Sequence, residues 1–335
     1  MSPFTEDELT GALRTILADD APGLRVGPGD DGALVDFDSA LEILTADLLV
    51  EDVHFTLDTT SPRDLGYKSL TVNVSDVAAM GGRPRYGLVS LAIPERIEMP
   101  WVIELYGGLR DAAARYGMAV VGGDLSRADE TVISVAVTGE VAKNRAVTRS
   151  GARPGDRVVV TGSLGGAAGG LRLVQANPDE VREALGTDVG RSLLQAFARP
   201  VARVEEGETL AAAGATAMID LSDGLAKDLH RLCRESEVAA RVHLSALPVA
   251  GGLTEVEKFL GVDAVELAME GGEDYELLAT LGPEVLPRVV ARITERFGTP
   301  LTEIGEIVDG SGVTAVHADG TEHPLEPKGW DHFGR

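Results

Sequence analysis

The sequence predicts a mixed α/β (α+β) fold in two domains, and three observations carry that reading. The chain has 335 residues, where one domain takes about 100–200. Short β-rich runs alternate with helical periods. Near the middle, Thr148-Arg149-Ser150-Gly151-Ala152-Arg153-Pro154-Gly155-Asp156 has the Gly/Pro turn chemistry of a linker. The boundary is placed there, giving domains 1–148 and 149–335.

In chain order, Leu41 to Thr45 reads as a strand, Pro62 to Met80 as a helix and Tyr86 to Ile93 as a strand. The first helix is well punctuated: Ser61 and Asp64 approximate a capping box, Pro62 takes the first turn, and Gly81-Gly82 with Pro84 stops it. A second helix is expected from Trp101 to Tyr116 with Gly117 as its stop, then strands at Ala119 to Val121 and Val132 to Val137. Beyond the linker come a strand, Arg157 to Thr161, a glycine-rich turn and helix, Gly162 to Gln175, and helices around Val181 to Ala198 and Val204 to Ala213. The pattern continues with a strand Ala217 to Asp220, a helix Asp223 to Cys233, a strand Tyr275 to Leu281, a helix Pro287 to Phe297 and strands near Ile304 and Val313. No short fixed period runs through either half, which argues against solenoids and propellers.

Thirty Lys and Arg against 54 Asp and Glu give a formal charge of −24. That balance disfavours nucleic-acid binding, which selects basic surfaces. An acidic protein that handles phosphates needs metal ions as intermediaries. Cys233 is the single cysteine, so neither an internal disulfide nor a cysteine-based zinc cluster can form within one chain, and a reducing cytoplasm fits. Met1-Ser2-Pro3-Phe4-Thr5-Glu6-Asp7-Glu8 lacks the basic-then-apolar pattern of an export signal, and no stretch approaches the roughly 20 apolar residues of a membrane span.

Gly27-Pro28-Gly29-Asp30-Asp31-Gly32 matches the dinucleotide fingerprint G-x-G-x-x-G. It is rejected, because the fingerprint needs a helix behind it and Ala33 to Phe37 reads as a strand. An acidic surface turn and a metal-binding turn remain open there. Acids then recur at strand ends or in glycine-flanked turns: Asp47, Asp76, Asp124, Asp220, Asp223, Glu273 and Asp274. Gathered in one crevice they would repel one another, and hard cations such as Mg²⁺ relieve that repulsion while leaving positions open for phosphate oxygens. Asn73 and Asp76 share a side of the best-defined helix. Asp220 ends an apolar strand, where an ionised group is costly without a partner; Ser222 or Asp223 could cap the next helix. Gly162 to Gly170 lacks the lysine of a Walker loop and is assigned no ligand. Cys233 falls within a helical apolar period and reads as core.

Together these segments resemble the thiamine-monophosphate kinases, a family of the aminoimidazole-ribonucleotide-synthetase-like superfamily, along nearly the whole chain. The carriers are Gly29-Asp30-Asp31, Asp47 with Val53-His54-Phe55, Val72-Asn73-Val74-Ser75-Asp76-Val77-Ala78-Ala79-Met80-Gly81, and Gly122-Gly123-Asp124. Thr148-Arg149-Ser150-Gly151-Ala152, Asp220-Leu221-Ser222-Asp223-Gly224-Leu225, Gly271-Gly272-Glu273-Asp274-Tyr275-Glu276 and Trp330-Asp331-His332-Phe333 follow in the family's order.

The resemblance implies the two-domain fold of that superfamily, with N-terminal sheets paired across a homodimer. It also implies transfer of the γ-phosphoryl group of ATP to thiamine monophosphate; because an acceptor phosphate needs no strong base, direct in-line transfer with no covalent nucleophile on the enzyme is expected. Asp31, Asp47, Asp76, Asp124, Asp220 and Asp223 would then hold several Mg²⁺ ions; Tyr106, Gly123, Asp124, Arg149 and Ser222 would contact ATP; His54, Glu273 and Trp330 would contact the substrate. Ala46 stands where the family usually has Thr, and Thr45 is the candidate to replace that hydroxyl. Sister enzymes that activate an amide oxygen or phosphorylate selenide, and a non-catalytic nucleotide- or metal-binding module, are the alternatives. Selenide-phosphorylating relatives usually carry a reactive cysteine near the N-terminus and the hydrogenase-maturation relatives end in a cysteine, and this sequence has neither.

Overall fold

The computed structural model describes residues 24–26, 30, 33–37, 40–176, 188 and 190–333. Its first half builds a six-stranded sheet from β1 (Leu24–Val26), β2 (Ala33–Phe37), β3 (Ala40–Val50), β4 (Arg83–Ile93), β5 (Ala119–Arg127) and β6 (Val132–Ala142), in the order β1-β2-β3-β6-β4-β5. β3 pairs antiparallel with β6 from Ala40↔Ala142 to Val50↔Val132, while β4 and β5 run parallel. Helices α1 (Pro62–Ala79) and α2 (Met99–Tyr116) cover one face of this sheet.

The second half contains β7 (Arg157–Thr161), α3 (Gly166–Gln175), a helical segment 190–198, α4 (Val204–Ala213), β8 (Ala217–Asp220) and α5 (Leu225–Ser236). It goes on with β9 (Ala239–His243), α6 (Leu253–Leu260), α7 (Ala264–Glu270), β10 (Leu277–Leu281), α8 (Leu286–Phe297), β11 (Leu301–Val308), β12 (Gly312–Val316) and β13 (Glu322–Leu325). The strands form a seven-stranded sheet, β13-β12-β9-β11-β7-β10-β8, with β9 and β12 parallel.

α1 forms where its caps require it. Ser61 is extended and its hydroxyl accepts from the Asp64 N–H at 3.1 Å, with Pro62 in the first turn. The helix is then buried almost all round: Leu65, Leu70, Val74 and Val77 have no exposed surface. It rests on β3, β4 and β6, meets α2 on one flank, and meets α4 and β8 of the second half on another. One apolar cluster therefore runs from Ile43, Val89 and Leu105 through to Leu210, Met218, Leu277 and Ile293. A second cluster, with Val158, Ile219, Leu229, Val242 and Ile307, lies within the second half.

Several expected boundaries move. The strand expected at Ala119 to Val121 runs on to Arg127, so Gly122-Gly123-Asp124 lies inside a strand rather than just past one. Gly123 is required there, since a Cβ would fall 1.8 Å from the Val89 carbonyl oxygen of the neighbouring strand. α5 starts at Leu225, and neither Ser222 nor Asp223 caps it: Gly224 holds the N-cap position and makes no side-chain cap bond. The helix expected from Val181 is seen over 190–198, and 181–187 lies outside the described residues. β9, β13, α6 and α7 are not foreseen from periodicity.

Among the described residues, no helix is long and apolar enough to cross a membrane. The tightest helix contact is the α1–α2 crossing, where a Cβ on Gly66 would fall 1.9 Å from the Leu105 carbonyl oxygen and one on Gly108 1.9 Å from that of Arg63. Gly108→Ala should accordingly destabilise the protein by about 1–3 kcal/mol through overpacking, read as a lowered midpoint in denaturant unfolding.

Candidate active site

A cavity of about 1420 Å³ opens between the two halves. Single small-molecule pockets run to about 300–1,000 Å³, so this one has room for two ligands at once. β3 supplies one wall. Its alternation sends Thr45 and Asp47 toward α1 while Ala46 and Leu48 face outward and are exposed. The Thr45 hydroxyl donates to Asp76 on α1 at 2.5 Å. One turn earlier, fully buried Asn73 accepts from the Asp47 backbone N–H at 3.0 Å and donates to the Ser69 carbonyl at 3.1 Å. The hydroxyl that position 46 lacks is thus present one residue earlier, on the carboxylate side.

The second half supplies the opposite wall. Asp220 ends β8 at 2% exposure, and the turn behind it carries Ser222 and Asp223 into the cavity. Asp228 on α5 organises this turn: it accepts from the N–H groups of Asp223 (3.0 Å) and Gly224 (3.2 Å) and from Arg231 (3.1 Å). Burial, then the nearby Asp223 charge, pushes the Asp228 carboxyl up to about 7, against the donors that favour its anion. Arg231 also pairs with Asp223 at 2.6 Å, and Lys227 does so at 3.1 Å.

Glu273 reaches the cavity from the segment between α7 and β10, and Lys68 of α1, with its side chain 4% exposed, pairs with it at 2.7 Å. The same ammonium sits 4.4 Å over the Phe197 ring. His54, His332 and Trp330 form an aromatic rim: the two imidazoles are 4.8 Å apart, the indole stands edge-on to His332 at 5.7 Å, and its N–H donates to His332 Nδ1 at 3.2 Å. Arg149 also lines the cavity, and its backbone N–H donates to Asp30 at 3.0 Å.

Of the residues singled out from sequence, Thr45, Asp47, His54, Asp76 and Arg149 share this cavity with Asp220, Ser222, Asp223, Glu273 and Trp330. Tyr106, Gly123 and Asp124 do not line it. Asp124 lies in the row Leu48–Ser134–Ser90–Asp124 across the sheet, on the outward face opposite Asp47 and three strand spacings away, roughly 14 Å. Asp31 lies outside the described residues. Lys68 and Asp228 escaped the sequence reading, and Tyr275 and His332, though they stand inside the quoted motifs, were given no role there. For Lys68 a signal existed, a charge amid the apolar run of α1; Asp228 read as an ordinary helix-surface acid.

The acids do gather in one crevice, although both sheets are largely antiparallel. The gathering arises because α1, wedged between the halves, sets β3 against the β8–α5 turn. Among the described residues no three His, Cys, Asp or Glu side chains are close enough to hold an ion by themselves. The donors present are carboxylate and hydroxyl oxygens, however. Mg²⁺ typically takes one or two carboxylates together with substrate phosphates, and the arrangement fits that use.

The Val50 N–H donates to His54 Nδ1 at 3.0 Å, so the neutral ring carries its proton on Nε2. Burial chiefly, with His332 and Lys68 adding to it, holds His54 below the ordinary imidazole range. The unfolded chain therefore takes up this proton first as pH falls below about 6.5. Stability contributed by neutral His54 is complete above that pH and is lost as pH falls through the lower folded-state value. His54→Gln, which keeps an acceptor for Val50, should shrink the stability difference between pH 7.5 and pH 5.5 measured by urea unfolding.

Comparison with known proteins places this geometry. The family model described as AIR synthase related protein, N-terminal domain, matches residues 29–141, and its C-terminal counterpart matches 153–318. Thiamine-monophosphate kinase of Bacillus subtilis (strain 168) is 37% identical over 92% of this chain and 93% of its own length. That of Aquifex aeolicus (strain VF5) is 38% identical over 91% and 92%. A solved structure described as AaThiL complexed with AMPPCP and TMP superposes with a TM-score of 0.83 at 35% identity, covering 98% of this chain and 97% of that one. On fold, motif order and near-complete coverage, the chain belongs to the thiamine-monophosphate kinase family of AIR synthase related proteins.

Proposed function

We propose that this cavity transfers the γ-phosphoryl group of ATP to the phosphate of thiamine monophosphate, giving thiamine diphosphate and ADP. The observation that carries the reading is the family's motif carboxylates facing one another across a two-ligand cavity, in a chain that matches a relative complexed with AMPPCP and TMP along 98% of its length. An acceptor phosphate oxygen is already nucleophilic, so the protein need supply no strong base. The barrier is the approach of two anions, which positioning and charge neutralisation lower.

In this reading Asp31, Thr45, Asp47, Asp76, Asp124, Asp220 and Asp223 hold several Mg²⁺ ions. When bound, the ions neutralise the phosphates and draw the two chains of charge into line. Arg149 and Ser222 hold the nucleotide, with Tyr106, Gly123 and Asp124. His54 Nε2–H and Glu273 hold the thiamine substrate. Trp330, 46% exposed at the cavity mouth, offers a ring face on which an aromatic ligand can stack.

The positions of Asp124 and Asp47, on opposite faces of one sheet, require a second chain if both serve one site. The outward face supplies a surface for it: Leu44, Leu48, Tyr86, Leu88, Val121 and Leu125 are 41–67% exposed there, an apolar patch of a kind that marks an interface. The proposal is therefore a homodimer that stacks these faces, with Asp124 completing the partner copy's site. One cysteine, buried and without a disulfide, suits a cytoplasmic setting.

Incubation with ATP, Mg²⁺ and thiamine monophosphate, followed by chromatography, should yield thiamine diphosphate; no product from folded protein overturns the reading. Asp76→Asn and Asp220→Asn should each cut turnover by about two or more orders of magnitude, and near-normal rates in both at limiting Mg²⁺ would refute their assignment. Light scattering should give twice the 35.1 kDa chain mass, and Leu48→Glu should return monomers with greatly reduced turnover.

A further inference from the structure

The turn between α7 and β10 is folded around one inward carboxylate. Asp274 accepts from the backbone N–H groups of Gly165 at 2.6 Å and Ala167 at 3.2 Å, at the glycine-rich start of α3. That turn, Gly162 to Gly170, thus receives an anion from its own chain. Its glycines are needed for the approach: a Cβ on Gly165 would fall 3.0 Å from the Ala268 backbone nitrogen, and one on Gly162 1.9 Å from Glu276.

With Asp274 drawn away from the cavity, its two neighbours are turned into it. Both adopt the left-handed backbone that residues other than glycine seldom occupy, Glu273 at φ 69° and Tyr275 at φ 51°. Each is pinned to the metal-side loop: Glu273 N–H donates to the Ser222 carbonyl at 2.8 Å and Tyr275 N–H to that of Leu221 at 2.9 Å. Strain at two alternate residues, held by bonds on both sides, fixes where the Tyr275 ring points.

Tyr275 is only 8% exposed, yet it lines the cavity. Among the described residues its hydroxyl has no hydrogen-bond partner, while the carboxylates of Glu273, Asp47, Asp220 and Asp223 bear on it from both halves. A buried phenol ordinarily finds a partner. In such surroundings a cationic donor is consumed by the acids, as Arg231 is by Asp223 and Asp228. The Tyr275 O–H, which lines the cavity and is not taken up by these acids, is left for an incoming anion.

We propose that the Tyr275 hydroxyl donates a hydrogen bond to the acceptor phosphate of the substrate, making Tyr275 a catalytic residue, and that Asp274 in the α3 glycine turn is the positioning residue that aims it. The inference rests on the functional reading above.

The test is Tyr275→Phe, which keeps the ring. With Mg²⁺ and the non-transferring analogue AMPPCP present, calorimetry should show affinity for thiamine monophosphate weakened about ten- to a hundred-fold, the scale of a hydrogen bond to a charged group. Affinity for unphosphorylated thiamine should change less than about twofold, kcat should fall by at least about tenfold, and the thermal midpoint should stay at the wild-type value. Asp274→Asn, with the hydroxyl still present, should lower kcat in the same direction. Unchanged affinity and kcat in Tyr275→Phe, equal weakening of both ligands, or loss of the fold would each overturn the proposal. Wild-type protein that forms no thiamine diphosphate would instead overturn the functional reading, and this inference with it.

Discussion

Mutual repulsion among acids facing one cavity is the constraint to which the rest of the structure answers. Asp47 and Asp76 arrive from the first half, Asp220, Asp223 and Glu273 from the second, and each approach costs free energy that grows as water is excluded. The fold offsets part of that cost with internal donors. Thr45 donates to Asp76, Lys68 pairs with Glu273, and Arg231 and Lys227 pair with Asp223. What is left over is an acidic cavity, and under the proposed function cations would enter it and admit phosphates.

Holding the acids together falls largely to α1. Its all-round burial is unusual for a helix beside a cavity, and it follows from the α1–α2 glycine crossing on one flank and α4 on another. Because its apolar contacts belong to a cluster shared by both halves, the two walls are set by packing. Arg203, paired with buried Glu276 at 2.6 Å, adds a polar tie between the start of α4 and the strand that follows the Glu273–Tyr275 turn. Positioning of Asn73 and Asp76 and positioning of Glu273 are thus two results of one packing arrangement.

Much of this was legible in the residues. α1 could be bounded because its stop and start signals are local: Ser61, Pro62 and Gly81-Gly82 act within a turn of themselves. Ten of the candidate site residues converge on the cavity; nine were found through the quoted motifs, and Thr45 as the replacement for the hydroxyl that position 46 lacks. The misses are long-range. Gly122-Gly123 looked like a turn, but the parallel partner β4 draws it into a strand. Asp223 looked like a helix cap, but Asp228 five residues on takes the amides instead. Lys68 and Glu273 are 205 residues apart, and no pattern within either segment announces the pair. Tyr275 stood inside a quoted motif yet received no role, because its orientation comes from backbone conformation, which residue identity does not disclose.

The net charge of −24 sharpens the electrostatic requirement, since the protein's field repels the very anions the cavity must take up. On the proposed reading, divalent cations would be a condition of nucleotide binding as well as of turnover. The most direct measurement is calorimetric titration of AMPPCP into the protein with and without Mg²⁺, at constant ionic strength. The cavity's acidity predicts binding at least about a hundred-fold tighter with the ion, the scale of one to two charge-neutralising contacts. Equal affinity in its absence would contradict the central role given to the facing carboxylates.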